Sequence, residues 1–471
     1  MWYFEYRFTA FDFLQGDLTM DENETGPGKR RRLKVSHVLI ILLLIGAVSF
    51  AIFRLSMKSK LQARIDAIRA AGYPVNCAEL DRWYTIPENA ENAAYTLMDA
   101  FSYYKLWDNA ESKPLPVVGR GELPARTEPM AEETKALITQ YVVDNNEAIE
   151  LLHAGAAIEN CRYPIDLTAG FETKLPPLYE IRTAVKLLKL ETILHIENGD
   201  GKSAIRSTIS SFGIARSLAK ESMIISQLVR VACQNLAATT IEYCINRVEL
   251  TDEQLAELIE YIHNTERNSD MTCAFIGERC MGLSFLKSPG SVNPDSIEGI
   301  PLQPILELYK ALGLADADAI IYLDLMGEYI KSAQLPLHKR QEAVKAIDAR
   351  LQSTSQIHIL LHAIMPALSR ITTIELRTIA QLRTARVALA IERYRLAAGK
   401  LPDALTDLVP AYLDTVPTDP FDGKELRYEK LGVGFVVYSV GEDLRDDGGT
   451  EEPSRKTKEA PTWDVTFIVE R

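Results

Sequence analysis

The sequence predicts a mainly α protein: an N-terminal transmembrane helix, a multi-helix body of antiparallel helical hairpins, and a small α+β C-terminal domain. Three observations carry this. Residues 35–53, VSHVLIILLLIGAVSFAIF, contain no Asp, Glu, Lys or Arg. From Leu178 to Val248, three apolar-periodic segments follow one another across short polar connections, which sets helices side by side and antiparallel. Strand patterning appears only beyond residue 400.

The membrane segment comes first. A run of about 20 apolar residues matches the hydrocarbon thickness of a bilayer, and a buried helix of a soluble protein is rarely apolar on every face for that length. A cleavable signal has a shorter apolar core ending in small residues. Here Arg54 follows the run directly, so an uncleaved anchor is expected. Lys29, Arg30, Arg31, Arg32 and Lys34 precede it; Arg54, Lys58, Lys60, Arg64 and Arg69 follow. The denser cluster lies before the span, which places the N-terminus in the cytoplasm and the body on the exported, periplasmic side. Residues 1–34 are expected to be a disordered, basic-ended tail, with Met20 an alternative start.

Composition bounds the body. The formal net charge is −13, against a nucleic-acid partner, because phosphate binding needs concentrated positive charge. Six cysteines occur with no CxxC pair, against a structural zinc site. Cys273 and Cys280 fall two helical turns apart, roughly 10 Å, too far to bridge. The cysteines read as small buried hydrophobes, with Cys77 and Cys161 the one pair open to bridging across space.

Residues 55–365 are expected to form the helical body. Ser56–Ala71 continues the anchor as an amphipathic helix closed by Gly72. Asn76 and Glu79 stand at N-cap and N3 of a short helix, which Pro87 ends. A helix over Glu88–Trp107 precedes a Pro- and Gly-rich loop at 108–130, and helical pattern resumes from Ala131 to Ala154. Helices follow at Leu178–Asn198, Lys202–Lys220 and Met223–Val248. Thr251 to Gln254 is a capping box that opens the next helix, and further helices fall near 270–287, 302–312, 315–334 and 337–352.

Few residues in the body nominate chemistry. His358 and His362 sit four apart on an expected helix, a metal-capable spacing, but no glutamate lies between them and their surroundings are apolar, which favours a core pair. Arg230 lies in the apolar run Leu228–Cys233. A buried arginine needs a carboxylate, and Glu278, Asp324 and Glu328 are the candidates. No G-x-S-x-G, P-loop, G-x-G-x-x-G or Cys/His nucleophile signature is present.

The segment 366–471 is expected to be a long helix ending at Gly399 and a small antiparallel sheet, with strands at Leu426–Glu429, Gly434–Ser439 and Trp463–Val469. Its landmarks run in order: Ala390-Ile391-Glu392-Arg393-Tyr394-Arg395-Leu396, Gly399-Lys400-Leu401-Pro402, Asp419-Pro420-Phe421-Asp422-Gly423-Lys424 and Tyr438-Ser439-Val440-Gly441-Glu442-Asp443. This series resembles the globular part of the major pseudopilin of type II secretion (protein G). The rest of the chain resembles uncharacterised bacterial membrane-anchored proteins that carry the same tail. The resemblance implies calcium as cofactor in the acidic loop, with Ser439, Asp443, Asp446 and Asp447 as its metal ligands; clustered carboxylates with glycines also suit a hard cation on chemical grounds. A pseudopilin's long helix is itself the membrane segment, whereas here it is internal and carries Arg370, Arg377, Arg383 and Arg386. The tail is therefore expected to serve as a fused packing or interaction domain.

The expected function is that of a single-pass membrane-anchored envelope protein, a non-enzymatic scaffold or interaction protein whose partners are the lipid bilayer and envelope or secretion-system proteins. The alternatives are an exported helical hydrolase with a carboxylate site between helices, and a type II secretion-associated component.

Overall fold

A computed structural model describes residues 35–268, 270–288, 302–365, 368–451 and 463–471. The expected 1–34 tail, the alternative start at Met20 and the first residues of the expected 366–471 segment, Pro366 and Ala367, lie outside these residues.

The chain forms two units, one ending at Leu55 and one spanning Ser56–Arg471. Helix α1 (Val35–Ala70) runs through the boundary. Every residue from Val35 to Phe53 is exposed. With a mean hydropathy of 2.7, α1 is long and apolar enough to cross a membrane. The stretch Ile359–Ala398 is similar in length, but its mean hydropathy is only 1.3 and half of its apolar window is buried, as in the core helix of a soluble protein.

Within the second unit, Leu61 and Ile65 of α1 are buried. Gly72 follows with φ of +81°, the left-handed cap that a glycine permits. Helix α2 (Cys77–Trp83) starts at Asn76, whose side chain accepts from the Glu79 N–H. Glu79 reaches back to the N–H of Val75 rather than that of the cap residue.

The larger core gathers α3 (Ala93–Ser102), α4 (Glu132–Asp144), α5 (Asn146–Ala157), α6 (Leu178–Glu197), α7 (Gly201–Arg216), α8 (Ile224–Ile245) and α9 (Asp252–Arg267). Two expectations are corrected here. The helix over Glu88–Trp107 is confined to α3, because Asn92 caps it while gripping the Arg162 backbone through both its amide atoms. The helix over Ala131–Ala154 is two helices. Buried Asn145 sits between them and holds the N–H and the carbonyl of Lys105, so one side chain ends α4 and anchors the long loop. The three hairpin helices α6–α8 form as the spacing predicts, and Thr251 and Gln254 make the reciprocal capping box of α9.

The smaller core holds the end of α1, α2, and helices α10 (Thr272–Lys287), α11 (Leu302–Leu312), α12 (Leu314–Ala333), α13 (Leu337–Ser353) and α14 (Ile359–Ile364). Helix α15 (Leu368–Ala398) joins the two cores: Leu368 and Ile371 lie in the smaller one, Leu382 to Ile391 in the larger. Residues of the expected 366–471 segment thus contribute to both cores.

Three antiparallel strands, β1 (Arg427–Lys430), β2 (Phe435–Ser439) and β3 (Val465–Val469), lie in that order. Alternate residues point to opposite faces. Phe435, Val437, Phe467 and Val469 join the larger core, while Val436, Tyr438 and Ile468 form a cluster of their own. The acidic loop lies near that second face, since a Cβ on Gly449 would meet Val436 and Tyr438 at 3.0–3.1 Å. Asn246 of α8 donates to Ile468 O (2.9 Å) and accepts from Glu470 N–H (2.8 Å), which ties the last strand to the helical body.

Candidate functional site: two adjoining cavities beside Arg216

Helix α7 is built from small residues, and several hydroxyls bond back to the preceding turn: Ser207 to Ser203 O, Thr208 to Ala204 O, Ser211 to Ser207 O. Small side chains let neighbouring helices approach closely. At Gly213 a Cβ would stand 2.5 Å from Ala156 O on α5. That approach brings His153 of α5 onto Ser210 of α7, with Nδ1 2.7 Å from the hydroxyl oxygen. The other ring nitrogen lies 3.0 Å from Glu191 Oε2 on α6. Burial would raise the Glu191 pKa, but the His153 hydrogen bond and the His195 ring 3.7 Å away overcome it and bring the pKa down to about 2. Glu191 is therefore a carboxylate at neutral pH, and a hydroxyl, an imidazole and an anion stand in line across three helices.

His153 and Ser210 line a cavity of about 580 Å³, together with Lys202, Arg206, Arg216 and Tyr261. Arg216 and Tyr261 also line a second cavity of about 340 Å³, beside Arg230, Gln234, Asn264 and Asn268. The Arg216 guanidinium donates to Ala156 O (2.7 Å), Ile158 O (3.2 Å) and the Tyr261 hydroxyl (3.2 Å). These acceptors are all neutral.

Arg230 is 1% exposed. Nη1 donates to Asn268 O at 3.1 Å, while Nε and Nη2 have no hydrogen-bond partner among the described residues. The expected carboxylates are elsewhere. Asp324 takes Arg64 through Nε (2.7 Å) and Nη2 (2.9 Å); Glu328 pairs with Arg350; Glu278 is pushed up to about 6 by burial. The acids that act on Arg230 are Glu375 and Asp270, by charge alone. Glu375 is itself 3.3 Å from Arg340, and burial raises its pKa to about 7.

His358 stands at the N-cap of α14 and His362 lies within that helix. His358 places Nδ1 2.5 Å from Asp318. Asp318 is fully buried and also accepts from Tyr309 and the Leu361 N–H. The six cysteines are all free thiols, Cys77 and Cys161 included.

The four loop residues implied as calcium ligands have partners within the chain. Ser439 is buried and hydrogen-bonds Asp419 at 2.8 Å. Asp443 accepts from the Arg445 N–H. Asp446 takes the Tyr438 hydroxyl (3.1 Å) and the Gly448 N–H (3.2 Å), and Asp447 accepts from Thr450 through its carbonyl. Among the described residues, no group of three or more His, Cys, Asp or Glu side chains is arranged to hold a metal ion. Asp419, absent from the implied set, is the residue that organises this region. It accepts from Ser439, the Phe421 and Val440 N–H groups, and Arg427 at 2.7 Å.

Sequence reasoning singled out Arg230 but not its surroundings, and it missed His153, Glu191 and Ser210. Those three lie 19 to 57 positions apart on separate helices, with no local motif to mark them. Comparison with protein-family models, curated proteins and solved structures gives no match.

Proposed function

We propose that the chain is a membrane-anchored, non-enzymatic scaffold or binding protein of the bacterial envelope, its pseudopilin-like tail acting as a packing element of the body. The observation that carries this reading is α1: one helix whose first 19 residues are exposed and contain no Asp, Glu, Lys or Arg, and whose last turns bury Leu61 and Ile65 in the smaller core. The Asn246 contacts to β3 support the role given to the tail. The full-length protein is expected in the membrane fraction, resistant to high salt and released only by detergent. Leu42→Arg with Leu44→Arg, each costing about 3 kcal/mol of insertion, is expected to move most of it out of that fraction. Full-length protein that stays soluble without detergent overturns the reading.

One observation favours a second reading, an exported hydrolase: the line from Ser210 through His153 to Glu191, open to a cavity with three cationic residues on its wall. Nucleophile, base and orienting carboxylate within hydrogen-bond reach are what acyl transfer requires. On this reading a serine-directed fluorophosphonate is expected to label Ser210, and Ser210→Ala and His153→Gln are each expected to abolish the labelling. Failure to label the folded protein decides for the scaffold.

A further inference from the structure

The chain shows what its arginines do with a free edge. In Arg64 and in Arg393, the parallel N–H donors of Nε and Nη2 grip a carboxylate side-on, at 2.7 and 2.9 Å on Asp324 and at 2.7 and 2.8 Å on Asp252. Both pairs sit at or near the surface, where an unfilled edge would be solvated. Arg230 is almost wholly buried, and this same edge has no partner among the described residues. An unpaired charge in such a place is costly, and a fork of this shape fits a planar carboxylate.

The surroundings point the same way. Arg230 and Gln234 stand one turn apart on α8 and line the 340 Å³ cavity, and the Gln234 side-chain oxygen is also buried without a partner. Arg216, on the same wall, bonds only neutral oxygens. Among the described lining residues the one acid is Glu159, which is exposed. The volume is at the small end of ligand pockets, about 300–1,000 Å³, which suits a metabolite-sized molecule and not a peptide.

We propose that this cavity is a binding site for a small organic carboxylate that also carries a hydrogen-bond donor, its carboxylate held side-on by Nε and Nη2 of Arg230 and its donor bonded to the Gln234 oxygen. The site deepens the binding reading above by naming a ligand class. It does not depend on membrane insertion, so failure of partition and failure of ligand binding are told apart.

The test uses the full-length protein in detergent, titrated by calorimetry and thermal shift. The probes are lactate, succinate and benzoate, with lactamide and inorganic phosphate as comparison arms. At least one carboxylate is expected to bind in the millimolar range or tighter and to raise the unfolding midpoint. Lactate is expected to bind at least about tenfold tighter than lactamide, as loss of a charged hydrogen bond implies. Arg230→Lys keeps the charge but loses the fork, and weakens binding by about tenfold or more. Arg230→Met loses binding too, yet raises the ligand-free midpoint by roughly 1–3 °C, because an apolar side chain replaces an unpaired buried charge. A purely structural arginine would lower that midpoint. If Arg230→Met does not fold, Gln234→Leu is the second variant, expected to weaken lactate more than benzoate. The proposal is overturned if no carboxylate binds at about 10 mM, if phosphate alone binds, or if the Arg230 variants bind like the parent.

Discussion

Gly277→Ala is expected to destabilise the body by about 3 kcal/mol, the upper range for forcing a methyl group into packed space. Gly277 is buried in α10. A Cβ there would stand 1.7 Å from the carbonyl oxygen of Ser222, 2.7 Å from its carbonyl carbon and 3.0 Å from its Cβ. Two of those atoms are backbone, so no rotamer change relieves the clash. Ser222 is itself fully buried in the connection from α7 to α8, where the chain has little room to retreat. The contact thus sets how closely α10 approaches the start of α8. Two other glycines calibrate the effect. At Gly282 a Cβ would meet the Tyr322 hydroxyl at 2.2 Å; that ring is the end of a side chain but donates to Glu278 O, so an intermediate loss is expected. At Gly327, in α12, nothing lies within 4 Å. Gly327→Ala should therefore be neutral or stabilise by about 0.5–1 kcal/mol through helix propensity. Denaturant unfolding of the three variants in detergent checks the order. Equal behaviour of Gly277→Ala and Gly327→Ala would remove the close approach from the account.

What the sequence could and could not disclose follows from how local each signal is. Helices α6 to α9 were readable because their stops are carried by adjacent residues: Asn198 to Gly201, then Glu221-Ser222, then the Thr251 box. The first two strands of the small sheet were readable for the same reason, their runs being bounded by Gly423, Gly432, Gly434 and Gly441. Asn92 and Asn145 were not readable as helix breakers, because each acts by hydrogen-bonding backbone that is remote in sequence, at Arg162 and Lys105. Arg230 announced itself as a charge in an apolar run. Its environment did not, since the acids that act on it, Glu375 and Asp270, lie on α15 and just before α10, while the three nominated acids face other arginines or none. His153, Glu191 and Ser210 carried no signal, because a histidine, an acid and a serine on amphipathic helices are ordinary until packing brings them together.

The second large effect is a pH dependence centred on Glu221. This side chain is fully buried next to Ser222, and its Oε1 accepts from the Tyr84 hydroxyl at 2.8 Å while Oε2 has no partner. Burial pushes its pKa up to about 7; the Tyr84 hydrogen bond and the Arg162 charge pull the other way without prevailing. Cys161 and Tyr163 face it as well, and its charge adds to the burial that raises both of them. The unfolded value is about 4.3, so the folded state binds the proton more tightly. Stability from this group is complete below about pH 4.3 and is lost as the pH climbs towards 7. The loss amounts to roughly 4 kcal/mol at about 1.4 kcal/mol per pH unit. Glu221→Gln keeps an acceptor for Tyr84 and cannot ionise. Glu375 and Glu278 are raised in the same sense and remain in the variant, so the readout is the difference between the two unfolding free energies and not either curve alone. That difference should be flat below about pH 4.3, grow in favour of Glu221→Gln as the pH rises towards 7, and level off above it. A difference that stays constant from pH 5 to 8 would mean that Glu221 is charged throughout, and that Arg162, 2.9 Å from Asp81, reaches it more strongly than the packing implies.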